Sequence, residues 1–177
     1  MIEIEVMVKV LVFSFFVLLF APVSFGQEKV KISTGGSNTY IETYSKNSFR
    51  GYDSGEYKLD EAYRLGPTSA KTLKSGIKKA LEWADLNKEH QKEFDKEVCR
   101  FKVMDKETYK FHGYVDEFTK EMVLTFHGNS SGGCSASLKI YDSYGTFLSL
   151  DSKEDMNDIL DMLNGKSVND EIDDIFK

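Results

Sequence analysis

Three histidines and two cysteines are all that this 177-residue chain offers of imidazole and thiol ligands. Cys99 and Cys134 stand far apart in sequence with no close companions, which argues against a zinc site, because structural zinc gathers four ligands at tight spacings. Basic residues are not in excess. The formal net charge is −6, so the electrostatic footprint of a nucleic-acid binder is missing. There is no GxSxG elbow and no DxDxDG calcium loop, and the glycine-rich GNSSGG lacks the lysine of a phosphate cradle. It reads instead as a flexible hairpin loop. No apolar run reaches the roughly 20 residues that a membrane-spanning helix requires.

The longest such run, VLVFSFFVLLF (Val10 to Phe20), has the length of a signal-peptide core. Lys9 supplies its positive flank, and Ser24 and Gly26 are the small residues of a cleavage site. Residues 1–26 are therefore expected to be a signal peptide, and Gln27–Lys177 an exported chain, periplasmic or extracellular, with no membrane span. Glu3 and Glu5 fit a positive leader poorly, so translation is expected to start at Met7; a native peptide beginning upstream would contradict this. In an exported protein an even pair of cysteines reads as a disulfide, so a Cys99–Cys134 bridge is expected. Its loop length would give about 3–5 kcal/mol in the chain-entropy account.

The remainder is short enough for one domain. Its charge is uneven. From Asp151 to Lys177 there are nine acidic and three basic residues, and the body before it is close to neutral. Nothing repeats, and there is no long low-complexity linker.

EKVKIS, TYIETYS and EYKLDEAYRL read as strands, with KNSFRGYDSG as a loop between the last two. In EYKLDEAYRL the residues Tyr57, Leu59, Tyr63 and Leu65 share one face. GPTSA then leads into a helix capped by Thr68 or Ser69. Leu73, Ile77, Ala80, Leu81 and Ala84 recur at helical spacing, followed by a shifted stripe of Trp83, Leu86, His90, Phe94 and Val98. With no proline or glycine after Gly76, one long helix over about 69–97 is expected, with a break near Asn87. Beyond Cys99 the period changes to two. CRFKVM, YKFHGYVDEF, EMVLTFHG, CSASLKIY and TFLSL read as strands joined by short links, which favours antiparallel pairing. SKEDMNDILDML is an amphipathic helix over about 152–163, capped by Ser152 and ended by Gly165, with Met156, Ile159, Leu160 and Leu163 as its stripe. The fold class is α+β: an antiparallel sheet packed by one long helix and one shorter C-terminal helix. A flat meander would hold Cys99 and Cys134 about 14 Å apart, beyond disulfide reach, so the expected bridge implies a curled sheet or another strand order.

His112 and His127 lie symmetrically about Thr119-Lys120 in FHGYVDEFTKEMVLTFHG. Folded as a hairpin, that segment sets Val115 opposite Leu124 and His112 opposite His127, on the face away from the core. Directly opposed residues have Cβ atoms about 4.5–5.5 Å apart, close enough to share a metal. Asp116 is too far along the strand to complete such a site, which leaves His90 or Glu61 as the third ligand. The next hairpin pairs Phe126 with Ala136, Leu124 with Leu138 and His127 with Ser135. Ser135, His127 and an aspartate would be the ingredients of a hydrolase. The aromatics between Tyr40 and Tyr63 suit either strand packing or a stacking platform. The terminal stripe Val168, Ile172, Ile175 and Phe176 is expected to dock on the body.

The sequence thus supports an exported, non-catalytic binding or interaction protein, expected to be a monomer, with an unknown protein or small ligand as partner and no implied cofactor. A metal-binding protein using His112 and His127, and a small exported hydrolase, are the alternatives.

Overall fold

The computed structural model describes residues 29–35, 37–49 and 52–166. The expected signal peptide, Arg50-Gly51 and the terminal stripe at 168–176 lie outside the described residues.

Seven strands form one antiparallel sheet in simple sequence order. They are β1 (Lys29–Gly35), β2 (Asn38–Phe49), β3 (Tyr52–Leu65), β4 (Phe94–Asp105), β5 (Thr119–Gly128), β6 (Cys134–Ile140) and β7 (Leu148–Leu150). Among the described residues three helices accompany them: α1 (Pro67–His90) between β3 and β4, α2 (Lys106–His112) between β4 and β5, and α3 (Lys153–Leu163) after β7. The α+β class stands.

One face of the sheet carries the core. Leu65, Met122, Leu124, Phe126 and Leu138 meet Leu73, Ile77 and Ala80 of α1 and Met156 and Ile159 of α3, all essentially without solvent contact. The even-numbered residues of β5 supply that face, as its two-residue period requires. The sheet is a curled meander. Tyr63 of β3 meets Phe147, just before β7, edge to face at 5.2 Å, and α3 packs on α1 while touching both outer strands, β1 and β7. Ser152 caps α3 through a reciprocal pair with Asp155, and Gly165 follows with φ +78, a conformation that glycine adopts without steric cost.

Several expectations are corrected. The long helix starts at Pro67 with Gly66 as its cap and ends at His90, not near 97. Proline suits the first helical position because its missing N–H would be unpaired there; Ser69 donates instead to the Lys102 carbonyl. At the other end Gln91 turns left-handed, at φ 51. Buried Asn87 accepts from the Lys92 N–H and donates to the carbonyls of Asn129 and Gly133. That side chain both ends the helix and ties down the GNSSGG loop, so the loop is a pinned hairpin turn. The residues beyond, Phe94 to Val98, begin a strand.

KNSFRGYDSG is not a loop throughout, since β2 runs to Phe49 and β3 begins at Tyr52. In β3, an irregularity at Asp60 breaks the alternation. Tyr63 and Leu65 stay in the core, while Leu59 is turned out to solvent.

YKFHGYVDEF is not a strand. It forms α2 and a single 3₁₀ turn, Asp116–Phe118. The 111–128 hairpin therefore does not exist.

Cys99 and Cys134 are free thiols. Cys99 pairs with Leu124, and Cys134 pairs with Gly128. The two are thus separated by the width of β5 and by four positions along it, about 16 Å at ordinary strand spacings. The sheet keeps simple sequence order while curling, and the expected bridge is not formed.

Candidate functional site

The loss of the 111–128 hairpin separates the two histidines. His112 ends α2, before β5 begins, and packs edge to face between Phe111 at 4.9 Å and Phe118 at 5.4 Å. His127 sits near the far end of β5, about 27 Å along the strand from its start. Its direct cross-strand partners are Asp95 and Ser135, so the expected His112–His127 pair is not formed. His90 ends α1, Glu61 hydrogen-bonds Tyr63, and Asp116 is held by Lys102 at 2.8 Å and by the Tyr114 hydroxyl at 2.9 Å. Among the described residues no three histidine, cysteine or acidic side chains gather as a metal site.

His127 instead belongs to a polar relay on the face of the sheet opposite the core. Its Nδ1 lies 2.7 Å from Asp95 Oδ1 on β4, and its Nε2 lies 2.9 Å from Ser137 Oγ on β6. The β5–β6 register is the one read from the sequence. The hydrogen bond nevertheless goes to the diagonal neighbour Ser137 rather than to Ser135 directly opposite, because diagonal side chains on a sheet lie within reach of a ring. Asp95 had no visible role while its segment read as helix. Around the relay the face is ionic. Arg100 bridges Glu97 and Glu121 and covers the ring of Tyr141 at 4.1 Å.

The second feature is α2 itself, clamped over the β2–β3 part of that same face. Asp105 caps it by accepting from the Thr108 N–H at 2.8 Å. Lys106 pairs with Glu42, which is buried on β2 and also accepts from the Tyr44 hydroxyl at 2.6 Å. Burial alone would raise the Glu42 carboxyl; the hydrogen bonds from Lys106 and Tyr44 outweigh it and hold the group below the usual range. Burial and the same carboxylate raise Tyr44 well above an ordinary phenol. Arg64 lies over Tyr109 at 4.5 Å, with its Nε donating to Asn38, and Asn38 in turn donates to the Tyr109 hydroxyl. Three tyrosines of this region are packed against neighbours rather than laid out as an open platform: Tyr40 lies under Lys106, Tyr57 under Lys29, and Tyr63 is in the core; the side chains of Phe49 and Tyr52 lie outside the described residues.

Beyond the clamp the chain turns outward. Phe111 is 86% exposed, Tyr114 55% and Phe118 45%. With His112 between the two phenylalanines they form an aromatic knuckle, rimmed by the ion pairs Lys102–Asp116 and Lys110–Glu107. Nothing in the alternation of the sequence marked this knuckle, because its aromatics were assigned to a strand interior.

No helix among the described residues is long and apolar enough to cross a membrane. No protein-family model, curated protein or solved structure matches the chain.

Proposed function

We propose that the chain is an exported interaction protein that binds a partner protein through the α2 knuckle. The observation that carries this reading is the exposure of Phe111 at the end of α2, of Tyr114 just after it and of Phe118 in the following 3₁₀ turn. Fully burying a phenylalanine side chain contributes about 1.5–3 kcal/mol, and this fold forgoes most of that gain at Phe111 and part of it at Phe118, with a half-exposed Tyr114 between them. The clamp beneath, Glu42 with Lys106 and Arg64 with Tyr109, fixes the knuckle before any partner arrives. Preorganisation of this kind lowers the cost of association.

The ring arrangement favours a protein over a sugar. The rings meet edge to face through His112, which makes a knob rather than a flat stacking surface. An aromatic centre with a charged rim is also the usual anatomy of a protein contact. Export is supported by the Val10–Phe20 core and the small residues before Gln27, and it draws no support from the cysteines.

The test compares immobilised wild-type protein with Phe111→Ser/Phe118→Ser for the proteins each retains from the native envelope and culture fluid. A partner retained by the wild type should be depleted roughly tenfold or more on the variant, as expected for loss of central aromatic anchors. The same set retained equally by both would remove the reading.

A further inference from the structure

We propose that Ser137 is a nucleophile and that the sheet face around it acts on small carboxylic esters. This goes beyond the interaction role, uses a different part of the molecule, and stands or falls separately from it. The relay draws one side chain from each of three neighbouring strands, Asp95 from β4, His127 from β5 and Ser137 from β6. An ionised aspartate can only accept hydrogen bonds, so the 2.7 Å contact places the ring proton on Nδ1. Nε2 is then an acceptor, 2.9 Å from Ser137 Oγ. That is the order of groups in which an imidazole removes the proton of a hydroxyl as its oxygen attacks. The three positions are fixed by backbone ladders. Side-chain exposures of 37% for His127 and 75% for Asp95 leave the relay open to solvent.

The chemistry balances with water as the only co-reactant. Ser137 Oγ bonds to the ester carbonyl carbon while its proton passes to His127 Nε2. The carbon–oxygen bond to the leaving alcohol breaks, and the alcohol carries that proton away. Water, deprotonated by the same nitrogen, then releases the carboxylic acid and restores the hydroxyl. The backbone amides run within the plane of the sheet, committed to its ladders. The donors nearest a developing oxyanion are therefore side chains, Thr125 opposite Ser137 and Lys139 two positions further on. An oxyanion hole donor is worth about 10²–10³ in rate. The step here is consequently slow, and the suited substrates are small and activated.

The purified protein would be treated with a fluorophosphonate, in which the phosphorus–fluorine bond is exchanged for an Oγ–phosphorus bond and fluoride leaves. The label is expected on Ser137, located by peptide mass. It should fall about a hundredfold in His127→Gln, the scale of general-base assistance, vanish in Ser137→Ala and persist in Ser135→Ala. With p-nitrophenyl acetate the wild type should show a burst that Ser137→Ala lacks. Asp95 acts through His127 as a positioning residue. Asp95→Asn should slow labelling and remove the downfield proton NMR signal of the hydrogen-bonded Nδ1–H. Absence of label on Ser137 in the wild type, or labelling undiminished in His127→Gln, overturns the proposal.

Discussion

At the scale of single residues, the position that most constrains the second face is Glu42. A carboxylate taken out of water is tolerated only when paired and hydrogen-bonded, and Glu42 has both Lys106 and Tyr44. Its folded-state carboxyl is held below the usual range. Stability from this group is therefore fully present above the ordinary carboxylate range and is lost as pH falls through the depressed folded value. Urea midpoints taken from pH 7 down to pH 3 should fall more steeply for the wild type than for Glu42→Gln. Parallel curves would show that the pair contributes no pH dependence. Removing the cation alone is expected to cost more. Lys106→Met takes away the cation that hydrogen-bonds the buried carboxylate and should destabilise by about 1–3 kcal/mol. None of this was visible in TYIETYS, where alternation marks Glu42 only as a residue on the face away from Ile41.

Gly76 sets the spacing at the scale of elements. A Cβ added there would run into Cys99 Sγ on β4 and come within 3.1 Å of Leu124 Cδ2 on β5. α1 therefore lies on the sheet more closely than a side chain at this position would allow. Gly76→Ala should destabilise by about 1–3 kcal/mol through overpacking, despite alanine's better helix propensity. Adding Cys99→Ala should recover part of the loss, since it removes the atom first met. A Gly76→Ala protein as stable as the wild type by chemical denaturation would refute the close approach.

The elements that the sequence made legible share one trait: their signals are local. The β5–β6 register follows from the alternation of Met122, Leu124 and Phe126 against Ala136 and Leu138, and α3 follows from Ser152 and its stripe. The elements misread are those decided by distant contacts. α1 stops at His90 because Asn87 reaches the carbonyls of Asn129 and Gly133, about forty positions on. YKFHGYVDEF alternates like a strand, yet it turns into α2 because Asp105 caps it and Glu42 and Arg64 hold it down. With those two elements misplaced, Asp95 could not be brought to His127, and His112 was placed opposite His127 when it belongs to another part of the molecule.

For the molecule as a whole, the sheet itself keeps the thiols apart. β5 lies between the strands of Cys99 and Cys134, and burial pushes the Cys99 thiol up to about 11 and raises that of Cys134. A thiol so raised is a poor nucleophile near neutral pH. The protein isolated without reductant should take up two alkylating groups after unfolding, react slowly while folded, and melt at the same temperature with and without dithiothreitol. Failure to alkylate after unfolding without reductant would mean that the bridge forms and that the strands are arranged otherwise.

The curled sheet packs its main core on one side and mounts the α2 knuckle on the other, where Phe111, Tyr114 and Phe118 remain exposed. That division of surfaces is the central claim, and site-specific photo-crosslinking in the native host tests it most directly. A photoreactive residue at position 111 should capture one defined partner, whereas the same residue at Leu86, exposed on α1, should not. Crosslinks from both positions to the same mixture of proteins, or from neither, would contradict a dedicated contact surface at the knuckle.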